Sequence, residues 1–444
     1  MIGKKAKATA DSFAALRNDR QEMIAEIIAA GSEMLTPFRQ DTNSLYLTER
    51  LNELGVQVAF KTIVGDNLAH LTSAAKIAIG RADIVVFSGG LGPTEDDLTR
   101  EAVAAALGLE VRRDTDLLTG IYKRFASRRM AMPHNNAKQA DVIVGAEVLP
   151  NANGSAPGQY IDTVVGRHRK IVILLPGPPK ELKPLYETEA RPRLAATLPE
   201  RHMAKRMLRM ALIPESQVDA RTAPIYQRYT DVETTILAGS GEIQLHFVCA
   251  KASAAEAQGR VDELAEKIEA EMGEAIFSSH GESLEEVVLL MLGLRHMTLA
   301  AAESCTGGLL AERLTAVPGS SRYFLGGAVV YADRLKTIFA DVAEELVRSE
   351  GPVSEAVARA MAEGIGRRTG ASVGVGITGI AGPGPGTGAD EGKPIGLVYV
   401  AISFAGEGKA KVVELNLTGD RERIRLWASQ HALELLRRSL LERV

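Results

Sequence analysis

The chain sets Ser304 and Cys305 side by side in LAAAESCTGGLLAERL, directly before Thr306, Gly307 and Gly308. The apolar LAAA reads as a strand or its approach, and an amphipathic helix follows from near Thr306, which puts Ser304 at or just before the N-cap. A side chain there faces converging backbone N–H groups and positive dipole potential. Three roles fit: a capping serine, a phosphate-binding turn, or a nucleophile with its oxyanion hole built in. A nucleophilic serine needs a base. No His-Asp pair is written nearby, but VVYADRLK puts Tyr331 at a strand end and Lys336 five residues on. A lysine that loses solvation can act as a neutral base for serine, and the alternative for Lys336 is a solvated surface charge. Cys305 is the rival: a thiol at a helix N-terminus can be activated, yet cysteine is also a small core filler. The residues alone do not choose.

A second constellation lies in FSGGLGPTEDDLT, where a strand end at Ser88-Gly89-Gly90 leads through Gly92-Pro93-Thr94 to adjacent Asp96 and Asp97, before a helix opened by Leu98 and Thr99. Open α/β sheets bind ligands at the carboxyl ends of their parallel strands. Glycines let backbone N–H groups approach phosphate oxygens, and a carboxylate pair can hold a divalent metal that neutralises a pyrophosphate. The competing role for the two acids is to favour a helix N-terminus, worth ~0.3–1 kcal/mol each.

The elements that must position these residues alternate in period. MIAEIIAAG, TNSLYLTERLNELG, VQVAFKTIVG, NLAHLTSAAKIAIGRA and DIVVFSGG switch between strand and helix patterns, and IVILLPGPP adds a buried strand stopped by Pro176, Pro178 and Pro179. That order predicts βαβ units on a parallel sheet, a three-layer αβα domain. From about 190 to 282 the pattern loosens into a small α+β module with an antiparallel hairpin, where EIQLHFVCA makes His246 a structural histidine. From SLEEVV onward helices and strands alternate again as an independent α/β layer, interrupted by the glycine-proline run GIAGPGPGTGADEG, a surface loop by default and a ligand loop by hypothesis.

Composition bounds the rest. A length of 444 residues suggests two to four domains, of which three are expected, and 45% apolar content with 42 glycines fits an α/β enzyme. A formal net charge of -4 supplies no global positive field for a polyanion, so nucleic acid is not an expected partner. Two cysteines are too few for a disulfide framework and suit a reducing cytoplasm. Residues 1–22 are basic without the apolar core of a signal peptide, reading as a loosely docked extension, and no stretch is long enough to span a membrane.

The strings GSEML, DTNSLYL, VGDN, SGGLGPTEDDLT, NNAKQA, LPNANGSAPG and LPGPPKELK resemble the N-terminal domain of the CinA family, itself a relative of molybdopterin-binding domains. The resemblance implies a metal-dependent ADP-ribose pyrophosphatase, with Asp96 and Asp97 holding magnesium or a similar divalent ion. It makes Asp41, Thr42, Asn43, Gly89 and Gly90 substrate contacts, with Asn153, Gly154 and Pro157 bordering the same cleft. Pro37 and Phe38 depart from the pattern near that turn. A molybdopterin-binding role is the alternative for this domain.

AESCTGGLLAERLT, GSSRYFLGGAVVYADRLK, GPVSEAVARAMAEG, GVGITGIAGPGPGTG, KPIGLVYVA and GDRERIR are similar to the family's C-terminal domain and to stand-alone nicotinamide mononucleotide deamidases. The implied reaction yields nicotinate mononucleotide and ammonia without a cofactor. Ser304 is then the nucleophile, Lys336 the general base and Tyr331 a relay, while backbone N–H groups near Thr306 and Gly307, beside Gly308, hold the oxyanion. Thr378 and Gly379 position the amide, and Arg421 or Arg425 meets the phosphate or braces the site. A longer GPGPGTGADEG loop departs from the pattern. The implied organisation is an extension (1–22), a molybdopterin-binding-like pyrophosphatase domain (23–190), a connecting domain (191–282) and a deamidase domain (283–444), in a homodimer that acts on nucleotides. A non-catalytic partner in DNA uptake is the alternative from another class.

Overall fold

Strand β1 (Ile24–Ala30) is buried along both faces, because helices cover the sheet on each side of it. The computed structural model describes residues 23–198, 201–239 and 241–443, so the expected extension at 1–22 lies outside the described residues. The chain divides into two compact units, one running to Met203 and including Ala250–Ala257, the other formed by Ala204–Cys249 and the chain from Gln258. The connecting module therefore falls mostly in the same unit as the C-terminal layer.

In the first unit β1 is followed by α1 (Thr42–Glu53), β2 (Gln57–Val64), α2 (Leu68–Arg81), β3 (Ile84–Ser88), α3 (Thr99–Leu107), β4 (Val111–Arg113), α4 (Thr115–Ser127), β5 (Asp141–Ile143), β6 (Glu147–Leu149), β7 (Gly158–Val165), β8 (His168–Leu175), α5 (Pro179–Leu185) and α6 (Arg191–Thr197). The main sheet runs β2-β1-β3-β8-β7-β6. Alternate residues of β1 serve opposite cores. Ala25 and Ile27 pack with Leu47 and Leu51 of α1 and Leu182 of α5. Ile28 and Ala30 pack with Leu71 and Ala75 of α2 and Val103 of α3. This is the expected three-layer arrangement.

The sheet is mixed rather than wholly parallel. β2, β1, β3 and β8 are parallel, but β7 pairs antiparallel with both β8 and β6. Only Gly166 and Arg167 separate β7 from β8, and so short a link permits only a hairpin. Gly166 supplies the left-handed turn residue with φ 65°.

The second unit opens with β9 (His202–Ala211), α7 (Glu215–Tyr226), β10 (Glu233–Gly239), β11 (Glu242–Lys251), α8 (Ala254–Met272) and β12 (Ile276–Ser278), in a sheet of order β10-β11-β9-β12. The predicted antiparallel hairpin is β10–β11. His246 sits half-buried on it, its Nε2 3.0 Å from Gln244 Oε1, a satisfied structural residue.

The C-terminal layer comprises α9 (Leu284–Leu294), β13 (Leu299–Glu303), α10 (Leu309–Thr315), β14 (Phe324–Val329), α11 (Asp333–Ala340), α12 (Glu344–Glu350), α13 (Glu355–Thr369), β15 (Val373–Gly379), β16 (Leu397–Phe404), β17 (Lys411–Asn416) and α14 (Arg421–Leu441). Its sheet runs β14-β13-β15-β16-β17, with β14, β13 and β15 parallel and the last two strands antiparallel. Leu299 and Ala301 face α9, α10 and α14, whereas Ala300 and Ala302 face α11 and α13. No helix among the described residues is long and apolar enough to cross a membrane.

Small residues set the thickness of this layer. A Cβ at Gly374 would lie 1.9 Å from Ala362 O, and one at Gly376 would lie 2.4 Å from Ala358 O, so the backbone of α13 rests directly on β15. Gly374→Ala should therefore destabilise the unit by ~1–3 kcal/mol through overpacking, read as a lower thermal midpoint for that unit's transition. Gly408→Ala, where nothing lies within 4 Å of the added carbon, is the control expected to stay within ~0.5 kcal/mol.

Candidate active sites

In the C-terminal layer the serine turn begins in register with the sheet: Ser304 N–H donates to Ile377 O at 2.9 Å. The chain then turns through Thr306 and two left-handed glycines, Gly307 (φ 62°) and Gly308 (φ 93°). The helix begins later than the sequence pattern predicts, at Leu309, and Ser304 is not its cap. The N-cap position is Gly308, and the orphan amides are taken by the Glu303 side chain from the strand end: its Oε2 accepts from Gly308 N–H and Leu310 N–H, each at 3.1 Å, and its Oε1 accepts from Ala311 N–H at 2.8 Å. A carboxylate with two acceptor oxygens satisfies more orphan amides than one hydroxyl, and its charge opposes the helix dipole.

This capture changes the expected oxyanion donors. Gly308 N–H belongs to Glu303, and Gly307 N–H donates to Ser304 O at 3.1 Å. The amides of Cys305 and Thr306 lie instead beside the Cys305 sulfur. Thr306 is wholly buried, its carbonyl accepting from Arg425 Nε at 3.2 Å and Nη2 at 2.8 Å, and its hydroxyl has no partner. Arg425 thus braces the turn.

Cys305 belongs to the apolar core behind the turn. Burial pushes its thiol up to about 12, with the Glu303 charge adding to the rise and Lys336 opposing it. A thiolate nucleophile is accordingly scarce at neutral pH, which removes the rival to Ser304.

Lys336 is no solvated surface charge: it is 1% exposed, and Nζ donates to Asp333 Oδ1 at 3.1 Å and Val330 O at 3.4 Å. Val330, whose carbonyl accepts from the amine, donates its own N–H to Glu303 O at 2.8 Å, which ties Lys336 to the strand end just before Ser304. Ser304 is 7% exposed, and its hydroxyl makes no hydrogen bond to Lys336 or any other described residue.

Tyr331 is 57% exposed and its Oη accepts from Arg421 Nη2 at 2.8 Å, while Arg421 Nη1 donates to Gly382 O at 2.6 Å. The tyrosine therefore joins the strand end to the glycine-proline loop through Arg421, and among the described residues it bonds to neither Ser304 nor Lys336. The buried hydroxyl of Thr378 donates to Pro352 O at 2.7 Å, which leaves it only acceptor capacity toward an amide. Gly379 allows close packing, since a Cβ there would lie 2.6 Å from Val398 Cγ2.

In the first unit the carboxyl ends of β1, β3 and β8 surround a cavity of about 640 Å³. Both glycines of the Gly89-Gly90 turn are sterically required. A Cβ would come within 2.3 Å of Ala30 O at Gly89 and 2.1 Å of Thr99 Oγ1 at Gly90. Thr42 and Asn43 line the cavity. Asn43 is 3% exposed, with Nδ2 donating to Gly177 O at 2.7 Å and Ser88 Oγ at 2.9 Å, and its Oδ1 is buried without a partner.

Four expected residues, Asp41, Asn153, Gly154 and Pro157, fall outside this lining. Asp41 caps α1, accepting from Ser44 N–H at 2.9 Å, because an aspartate before a helix meets its first amides more readily than a distant ligand. Asn153 Nδ2 donates to Lys180 O at 3.2 Å, and Ser155 and Ala156 of the same loop face the cavity instead. Asp96 and Asp97 both line it. Asp97 Oδ2 accepts from Thr94 N–H at 2.8 Å, and hydrogen bonding with Thr94 holds the Asp96 carboxyl below the usual carboxylate range. No group of three or more potential ligands for a metal ion occurs among the described residues.

Sequence reasoning missed Glu33, Asp66 and Glu181, which also line the cavity, leaving Arg39 as the single basic residue among its described lining. It also missed Glu303. The available signal there was a lone acid closing the otherwise apolar LAAAE.

A glycine-lined cavity in one α/β unit and a serine-bearing strand-end turn in the other define a multidomain α/β protein with two candidate ligand sites. Residues 26–196 match the probable molybdopterin binding domain, 205–278 the damage-inducible protein CinA KH domain, and 281–440 the CinA C-terminal domain. A CinA-like protein of Acidobacterium capsulatum is 58% identical over 419 residues, covering 94% of this chain and 100% of its own. A putative competence-damage inducible protein of Moorella thermoacetica is 42% identical over 421 residues, covering 94% of this chain and 99% of its own. The chain belongs to the CinA family. The crystal structure of the protein CinA with unknown function from Thermoplasma acidophilum is 33% identical, covers 39% of this chain and 99% of that one, and has a TM-score of 0.36.

The buried thiol generates a direct test. With its pKa near 12, roughly 10⁻⁴ of Cys305 is thiolate at pH 8. Iodoacetamide at that pH should leave Cys305 unmodified in native protein and alkylate it after denaturation, as read by peptide mass mapping. Rapid native alkylation would contradict the assignment.

Proposed function

We propose that this chain is a bifunctional hydrolase of pyridine-nucleotide salvage, acting in the cytoplasm as a homodimer. The C-terminal layer hydrolyses nicotinamide mononucleotide to nicotinate mononucleotide and ammonia, and the first unit cleaves the pyrophosphate of ADP-ribose. The observation that carries the first activity is Lys336, a wholly buried amine bonded to the carbonyl of Val330, a residue whose own N–H donates to Glu303 O immediately before Ser304.

Lys336 acts as the neutral amine: having given its extra proton to solvent and left Asp333, it takes the Ser304 proton as Oγ attacks the carboxamide carbon. The tetrahedral oxyanion draws the amides of Cys305 and Thr306, which have no backbone acceptor among the described residues, away from the weakly accepting Cys305 sulfur. Collapse breaks the C–N bond, the lysine proton passes to the departing nitrogen, and ammonia leaves an acyl-serine. Water, deprotonated by the same amine, then releases nicotinate mononucleotide and restores the serine. Arg421, exposed beside Tyr331, meets the phosphate.

In the first unit, five acidic side chains and one arginine line the cavity. An anionic pyrophosphate entering such a field needs a cation. Asp96 and Asp97 on one loop would hold a magnesium-like ion, which would supply charge neutralisation. The Asn43 carbonyl, buried without a donor, would accept from a substrate hydroxyl. The match of 26–196 to a probable molybdopterin binding domain favours pterin binding as the second reading. Titration of the protein with ADP-ribose and with molybdopterin separates the two, and preference for the pterin would reject the pyrophosphatase.

Ser304→Ala should abolish ammonia release while sparing chelator-sensitive cleavage of ADP-ribose, and a fully active variant would defeat the nucleophile assignment. Lys336→Met should lower kcat for ammonia release by ~10²–10⁴-fold. Asp96→Asn with Asp97→Asn should remove metal-dependent cleavage alone, and unchanged cleavage would clear both residues of that role.

A further inference from the structure

Glu303 has no part in the reaction as just described, yet it is a buried acid of the C-terminal layer bonded at both oxygens. It is 2% exposed at the end of β13, and no lysine or arginine among the described residues pairs with it. Both its oxygens act as acceptors, and all three of its partners are backbone amides of α10 and its cap. Burying a carboxylate with no cation is costly, and a cap on a seven-residue helix is ordinarily supplied by a serine or asparagine at far smaller desolvation cost.

The consequence of this arrangement is a closed loop of bonds around one residue. Upstream, Ser304 N–H is fixed to Ile377 O of the neighbouring strand. Downstream, the Glu303 side chain reaches across the turn and ties Gly308, Leu310 and Ala311 back to the strand end. Inside the loop, Gly307 N–H meets Ser304 O and Arg425 holds Thr306 O. The ties from Gly308, Leu310 and Ala311 all run to Glu303, so the helix side of the turn is anchored on it. The Ser304 hydroxyl, free of hydrogen bonds among the described residues, is carried by this frame.

We infer that Glu303 is a positioning residue for Ser304, acting through the three amides that it draws from α10. The inference rests on the reading of Ser304 as a nucleophile, and Glu303 touches no substrate in it.

The test uses the full chain carrying Glu303→Gln, which keeps the side-chain shape but turns an N–H₂ toward amides that need an acceptor. At a temperature where circular dichroism shows the variant folded, kcat for ammonia release should fall ~10–100-fold, as expected for a misplaced reacting atom. KM should stay within about twofold, because ground-state binding is untouched. Labelling of Ser304 by a fluorophosphonate should slow by the same factor as kcat. A purely structural role would lower the melting temperature and leave kcat and labelling unchanged, which would overturn the inference. If Glu303→Gln does not fold, Glu303→Asp, shorter by one carbon, is read in the same assays with the same criteria.

Failure of the substrate reading is distinguishable. Wild-type protein that releases no ammonia but labels at Ser304 contradicts the substrate, and the labelling ratio still decides the role of Glu303. Wild-type protein that also resists the label contradicts the nucleophile reading. Amide exchange across residues 304–311 then decides: lost protection in Glu303→Gln supports the tie, and equal protection overturns it.

Discussion

A buried carboxylate without a cation must find backbone amides, and in the C-terminal layer that requirement decides the local chain path. Glu303 is the last residue of a strand enclosed on both faces, so its side chain cannot reach water. The nearest unsatisfied donors are those at the start of α10. Their capture places the helix three residues beyond where hydrophobic periodicity starts it, and the gap is filled by Gly307 and Gly308 in left-handed conformation. Just ahead of that gap stands Ser304, itself only 7% exposed. The thiol next to it turns into the core.

The first unit solves a related problem without an internal anion. There too the chain leaves a parallel strand through paired glycines, and there too a side chain crosses the turn, Thr99 Oγ1 donating to Gly89 O at 2.9 Å. The bond is neutral, so the turn imposes no charge of its own. Charge comes from the rim, where Asp96, Asp97, Glu33, Asp66 and Glu181 surround the opening and Arg39 stands alone against them. The floor carries the orphaned Asn43 carbonyl, an acceptor that the protein leaves for something else to satisfy.

The parts legible in the sequence were those governed by short-range rules. The alternation of periods gave the three-layer unit, the hairpin of the connecting module and the C-terminal sheet, and the motif strings gave the family. Failures came where a long-range partner wins over a local pattern. Asp41 looked like a ligand contact and is a helix cap, because Ser44 N–H is three residues away and always available. Ser304 looked like a cap and is not one, because a carboxylate outcompetes it. Thr378 and Tyr331 carry hydroxyls of the right kind at strand ends, but Pro352 O and Arg421 claim them, and neither partner is written near them in the chain. The antiparallel β7–β8 pair was readable in principle from the two-residue link between them.

These differences account for why the two sites would place unlike demands on a ligand. Around Ser304 the protein supplies both signs of charge itself: the Glu303 carboxylate is absorbed by amides, and the Lys336 amine sits buried beside the turn with Asp333 at its outer edge. An uncharged reacting group such as a carboxamide can enter there without a counterion, and the chemistry proposed for it needs only a proton acceptor and amide donors. Around Asn43 the protein supplies almost one sign alone. An anionic ligand there meets repulsion from five carboxylates unless a cation arrives with it. The metal proposed for the first unit would answer that excess of carboxylates at its rim, whereas the one wholly amide-bound carboxylate at the serine turn leaves no such excess there.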